Sequence, residues 1–190
     1  PQRRGRVSAR RALDLAERAG PDDLLIAAIT GGGSALLAAP ADPISPDDLR
    51  DLTEALLACG ASIDEINAVR KHCSAVKGGR LARAAAPATV ATLVVSDVIG
   101  DPLDAIASGP TVPDPTTYAD ALAVLDRYDI AAGVVRERLR AGADGELGET
   151  PTAGDPAFDR ARAFVVGNGR TALDAAADAA ADRGYEPLVL

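Results

Sequence analysis

The chain has 190 residues and a net charge of −8, and 47% of it is hydrophobic, mostly Ala, Val and Leu; aromatics make up 3% and Trp and Met are absent. That length and apolar content allow one domain or large lobe with a real core. The acidic balance argues against nucleic-acid binding, which wants a basic face, and no apolar run reaches the length a membrane span needs.

In chain order, residues 8–19 read as an amphipathic helix closed by Gly20, and "LLIAAIT" (24–30) as a strand covered on both faces. That strand runs into "GGGS" (31–34), three glycines where a plain turn needs one. "PADPISP" is a proline-punctuated loop. Ser45 caps a helix with Pro46 first and Asp48 three residues on; Leu49, Leu52 and Leu56 follow, and Gly60 ends it. Ser62 and Glu65 form a second capping box, with Ile66, Val69, Cys73 and Val76 in step and Gly78-Gly79 closing the helix. "RLARAAA" is a short helix and 89–97 a second buried strand. A Gly/Pro/Asp loop, helices at 117–128 and 133–141, and an exposed linker over 142–157 come next. "AFVVGNG" is a third strand, "TALDAAADAAADRG" its helix, and "EPLVL" a fourth strand. The alternation predicts an α/β fold, Rossmann-like, with a mostly parallel sheet flanked by helices. Cys59 and Cys73 fall at apolar helical positions, which predicts buried free thiols in a reducing cytoplasm. The absence of Met, even at position 1, and an end inside a strand predict a piece of a longer protein. Acid that is mostly Asp, with base almost all Arg, fits a GC-rich genome, a salt-adapted surface, or both.

Three features carry chemistry. Ligands of an open parallel sheet bind at the carboxyl ends of strands, where the strand order reverses, and Gly31, Gly32, Gly33 and Ser34 sit at such an end. Glycines there let a ligand touch bare backbone, and a helix beginning at Ser34 would add an anion site. The only two lysines lie in "NAVRKHCSAVKGGR". Helical spacing puts Asn67, Lys71 and Ser74 on one face, flanked by Arg70 and Lys77, as a phosphate-directed cluster; His72 points elsewhere. In "VVSDVIGD", Asp97 ends a buried strand, where a carboxylate can take a hydroxyl proton or, with Asp101, hold Mg²⁺. Ser108, Thr111 and Asp114 in the following loop can meet polar ligand groups. Anion cradles, a basic cluster and strand-end carboxylates are the parts phosphoryl transfer requires. A competing motif is Gly167, Gly169 and Ala172, a dinucleotide fingerprint that lacks its acid at the next strand's end.

The blocks "TGGGSALLAAP", "LLACGASIDEINAVRKHCSAVKGGRLA", "LVVSDVIGDPLDAIASGPTVPDPTT" and "VVGNG" resemble, in order and spacing, the glycerate 2-kinase family, the type with a C-terminal MOFRL domain. The resemblance implies phosphorylation of D-glycerate by ATP with Mg²⁺, in a cleft between two domains. It implies a catalytic role for Asp97 and places Gly31–Ser34 and Asn67–Gly79 along the cleft; Lys71, in that basic segment, is taken as the second catalytic residue. Cys73 stands where the family usually has Leu. The family's upstream Gly-Lys segment and its MOFRL domain have no counterpart, so the chain is expected to be the central portion of a Rossmann-like domain of a longer kinase. No nucleic-acid or membrane partner is expected, and a homodimer is one assembly left open. Some members of this family have been labelled hydroxypyruvate reductases, which makes an NAD(P)-dependent reductase the alternative, with a non-catalytic anion-binding lobe a third reading.

Overall fold

A computed structural model describes residues 2–189. Three parallel strands, β1 (Leu24–Thr30), β2 (Thr89–Val95) and β3 (Ala161–Gly167), form a sheet in the order β1-β2-β3. Leu24 pairs with Thr89 and Thr30 with Val95, while Leu93 pairs with Phe164. An irregularity at Val94/Val95 shifts the last pair to Val95–Gly167. The expected α/β parallel architecture is present. The three described strands run in sequence order, however, so they contain no order reversal.

Helices α1 (Gln2–Glu17) and α5 (Arg80–Ala85) pack on one face of the sheet, where Ala9, Leu13, Ala16, Leu81, Ala85 and Val90 form a small core. A larger core lies among α3 (Pro46–Ala58), α4 (Ile63–His72), α6 (Tyr118–Arg127) and α7 (Gly133–Ala143). There Leu56, Leu125 and Leu139 are fully buried, each contributing about 1.5–3 kcal/mol by leaving water. Helix α2 (Gly33–Leu36) is a single turn after β1, and α8 (Gly169–Ala181) follows β3 without burying a residue.

Both expected capping boxes form: the Ser45 and Ser62 hydroxyls accept from the Asp48 and Glu65 amides, and those carboxylates accept in return. Several expectations are corrected. Helix α1 begins at Gln2, well before residue 8. Helix α4 stops at His72, because Ser74 pairs with Pro40, the Ala75 amide donates to the Ala39 carbonyl and the Ala41 amide to Cys73. Those cross-chain bonds replace further helical turns, and Val76 is buried from outside the helix. Cys59 is exposed; Cys73 is buried. The stretch 142–157 is not a bare linker. Thr150 and Pro151 are buried, and the Glu149 carboxylate bonds the His72 ring at 2.9 Å. Residues 186–189 pair with no strand among the described residues, and Leu188 is 81% exposed; residue 190 lies outside them.

Candidate active site

The three glycines have distinct tasks. A Cβ on Gly31 would fall 2.1 Å from the Asp97 Oδ2, so glycine is what lets the carboxylate after β2 lie against the backbone after β1. Gly32 has φ +78, the left-handed conformation that starts α2. A Cβ on Gly33 would meet the Ala107 methyl at 3.0 Å. The N–H groups of Gly32, Gly33 and Ser34 have no acceptor among the described residues, while the Ala35 and Leu36 amides return to the Gly32 carbonyl. With α2 only four residues long, the site rests on these individual N–H groups; the dipole of so short a helix is small.

Ser34 is the hub behind the loop. Its Oγ lies 2.8 Å from the Ser108 Oγ, and the Ser108 hydroxyl donates to the Asn67 Oδ1 at 3.2 Å. The Lys77 Nζ donates to the Ser34 carbonyl at 2.8 Å, to its Oγ at 3.1 Å and to the Ala107 carbonyl at 3.3 Å. Arg70 donates to the same Ser34 carbonyl at 3.0 Å. Burial, and then the neighbouring Arg70 charge, pushes the Lys77 ammonium down to about 7. Burial also lowers Arg70. Arg70 and a partly protonated Lys77 thus sit beneath a loop whose N–H groups are free among the described residues, a positive field on that side of the loop.

The Ser108 arm is strained. Ala107, Ser108 and Gly109 have φ of 53°, 60° and 55°, three left-handed residues in succession. Such conformations persist only where the surroundings over-determine them. Here the Gly78 and Gly79 amides donate to the Ser108 and Gly109 carbonyls at 3.0 and 2.7 Å. Gly79 itself needs φ +75, and a Cβ there would strike Phe158 and the Val112 carbonyl at 2.8 and 2.9 Å.

Asp97 is exposed at the sheet's carboxyl edge. Asp101 accepts from the Asn168 Nδ2 at 2.6 Å, joining the loops after β2 and β3. Hydrogen bonds from Ser96 and Asn168 hold its carboxyl below the usual range. No group of three or more metal-ligating side chains converges among the described residues.

The structure therefore brings together Gly31, Gly32, Gly33, Ser34, Asn67, Arg70, Lys77, Ser108 and Asp97, with Asp101 on the same edge. Lys71 and Ser74 stand apart: Ser74 because α4 ends at His72 before reaching it, and Lys71, expected as a catalytic residue, because carboxylates already hold its ammonium. Lys71 is buried between Asp104 at 3.1 Å and Asp114 at 3.2 Å, its charge met by carboxylates. The Ser74 hydroxyl accepts from the Val76 and Lys77 amides and donates to the Ala39 carbonyl. Thr111 bonds Thr92 inside the fold. Asn168, Asp104 and Ala107 were not foreseen; only Asn168 had a local signal, as an amide between two glycines capping a helix. The fingerprint glycines 167 and 169 adopt no positive φ.

The described residues thus form a parallel α/β lobe with a glycine loop, a buried basic pair and a carboxylate at one edge of its sheet. Residues 1–141 match the family described as a domain of unknown function (DUF4147), and the chain belongs to that family. It is 41% identical over 193 residues to the glycerate 2-kinase of Pyrococcus horikoshii, covering all of this chain and 43% of that protein. It is 52% identical over 171 residues to an Agrobacterium vitis protein named provisionally as a hydroxypyruvate reductase, covering 90% of this chain and 37% of that one. The crystal structure of Thermotoga maritima glycerate kinase superposes with a TM-score of 0.83 at 40% identity, covering 95% of this chain and 41% of that one. The chain thus spans about two fifths of the length of the relatives it matches.

Proposed function

We propose that this chain forms the D-glycerate- and ATP-facing lobe of a glycerate 2-kinase, transferring the terminal phosphoryl group to glycerate to give 2-phosphoglycerate and ADP. The observation that carries the reading is the Asp97 carboxylate seated against Gly31, which sets a proton acceptor beside a glycine loop with free N–H donors. The names of the relatives at about 40% identity support the substrate. In this scheme the glycine loop receives an anionic group, and Arg70 and Lys77 supply the positive field from beneath it. Asp97 takes the proton of the attacking hydroxyl, a poor nucleophile until that proton has an acceptor. Asp97 and Asp101 are the residues that would hold Mg²⁺, whose charge offsets that of the phosphates when bound. Lys71, paired twice with carboxylates, holds the 104–116 loop and leaves the anion to Arg70 and Lys77. Two free thiols fit a cytoplasmic setting.

The test is ADP release with D-glycerate and Mg-ATP, measured on the chain and on the native polypeptide that contains it. Turnover requiring both substrates is expected from the latter. Turnover with another hydroxy acid but not glycerate would keep the reaction class and remove the substrate. The reductase reading is favoured by the Agrobacterium relative's name, but its fingerprint lacks the tight glycine turn. Oxidation of NADH by hydroxypyruvate, followed by absorbance, would overturn the kinase reading.

A further inference from the structure

Away from the strand ends, a cavity of about 400 Å³ opens between α1, α5 and α7, lined by Arg10, Arg80, Arg83 and Arg138 with Glu17 and Asp42. Four arginines around one cavity are conspicuous in a chain of net charge −8. Arg10 and Arg83 have acidic partners, Asp14 and Asp155. Arg80 and Arg138 form no ion pair with any described residue, Glu17 and Asp42 included. Both instead converge on a single neutral atom, the fully buried Tyr118 Oη, at 3.1 and 3.3 Å. The remaining Arg138 nitrogens are held by the His72 and Asp42 carbonyls at 3.2 and 2.5 Å. The Arg80 Nε is buried and has no acceptor among the described residues. Their field reaches the Cys73 thiol, which burial pushes up to about 12 while Arg138 and Arg80 pull the other way.

Two like charges sharing one neutral oxygen, with a buried N–H left over, is an arrangement short of an anion. We propose that this cavity is a binding site for a small phosphate dianion, free or as a phosphomonoester, seated on Arg80 and Arg138. The planar guanidinium fork matches phosphate oxygens. The volume is in the range of small-molecule sites. Arg10 and Arg83 at the rim add charge that draws the ligand in. The site is independent of the kinase reading.

The test follows arginine Nε–H signals by NMR as inorganic phosphate is added to the chain at constant ionic strength, with sodium chloride as the control. Saturable shifts of Arg80 and Arg138 are expected. Arg80→Gln, its fold checked by circular dichroism, should weaken binding about tenfold or more, the loss expected for one charge-assisted hydrogen bond. Arg10→Gln, on the exposed side of α1 where no buried bond is disturbed, should weaken it several-fold. A parallel titration with glycerol phosphate separates the two sources: tighter binding than inorganic phosphate identifies an ester as the occupant, equal binding the free anion. Shifts that stay linear, that chloride reproduces, or that appear only at the Gly32–Ser34 amides overturn the site. So does an affinity unchanged in both variants.

Discussion

Gly31 and Asp97 make the first test at the scale of single residues. Gly31 has no left-handed φ, so Gly31→Ala strains no backbone by itself; its methyl would instead displace the Asp97 carboxylate. Asp97→Asn keeps the shape and removes the charge. In a glycerate-dependent ADP-release assay, Asp97→Asn should lower kcat by about 10²-fold or more, the range of general base catalysis. Gly31→Ala should produce a comparable loss with a near-native circular dichroism spectrum. Normal kcat in a folded Asp97→Asn protein would leave Asp97 as a turn residue. Lys77 gives a pH test. Its folded value of about 7 lies below the ordinary 10.5, so between those values the unfolded chain binds more protons and stability rises with pH, by up to about 1.4 kcal/mol per unit. Thermal denaturation of the wild type should therefore gain on Lys77→Met from pH 7 toward pH 10, and parallel curves would show that Lys77 titrates normally. The composition of this cluster was legible in the sequence. The glycines, Asn67, Arg70, Lys77 and Asp97 come from motifs whose residue types have few other uses. The pairing of Lys71 with Asp104 and Asp114 was not, because partners 33 and 43 residues away leave no local signal.

The helix starts were readable because a capping box is a local device: a hydroxyl, three residues, a carboxylate. The box on α4 matters most, since that helix carries Asn67 and Arg70 to the glycine loop and its Glu65 also binds Tyr128 at 2.9 Å. Ser62→Ala should cost about 1 kcal/mol. In urea unfolding this should appear as a lower midpoint with an unchanged slope, and an unchanged midpoint would show that the cap contributes nothing. The end of α4 was not readable. Its apolar period continues to Val76, but strand-like bonds to Pro40 and Ala39 interrupt it, and a bond to a segment over thirty residues earlier is invisible to periodicity. The left-handed turn at 107–109 escaped for the same reason. Only its glycine announces it, and the amides that enforce it come from Gly78 and Gly79.

For the molecule as a whole, the fold class followed from alternation alone, whereas the coverage of the sheet did not. Runs such as "LLIAAIT" read as strands buried on both faces, yet only one face is covered, by α1 and α5. The other presents Leu24, Ile26, Leu93, Val95, Phe164 and Val166, with Ile26 63% and Phe164 53% exposed. The registers Ala28–Leu93 and Leu93–Phe164 carry this apolar stripe across all three strands. Six large side chains on one flat surface form a patch beyond what isolated soluble domains usually leave in water. The chain alone should therefore brighten a hydrophobic dye such as ANS and sediment faster as its concentration rises. Ile26→Lys with Phe164→Lys should reduce both effects, because the charges face outward and touch neither core. Dye binding and sedimentation that ignore both substitutions would place the association elsewhere, and a dark, concentration-independent monomer would mean that the sheet hides this face by a rearrangement of α8, which buries none of its own residues.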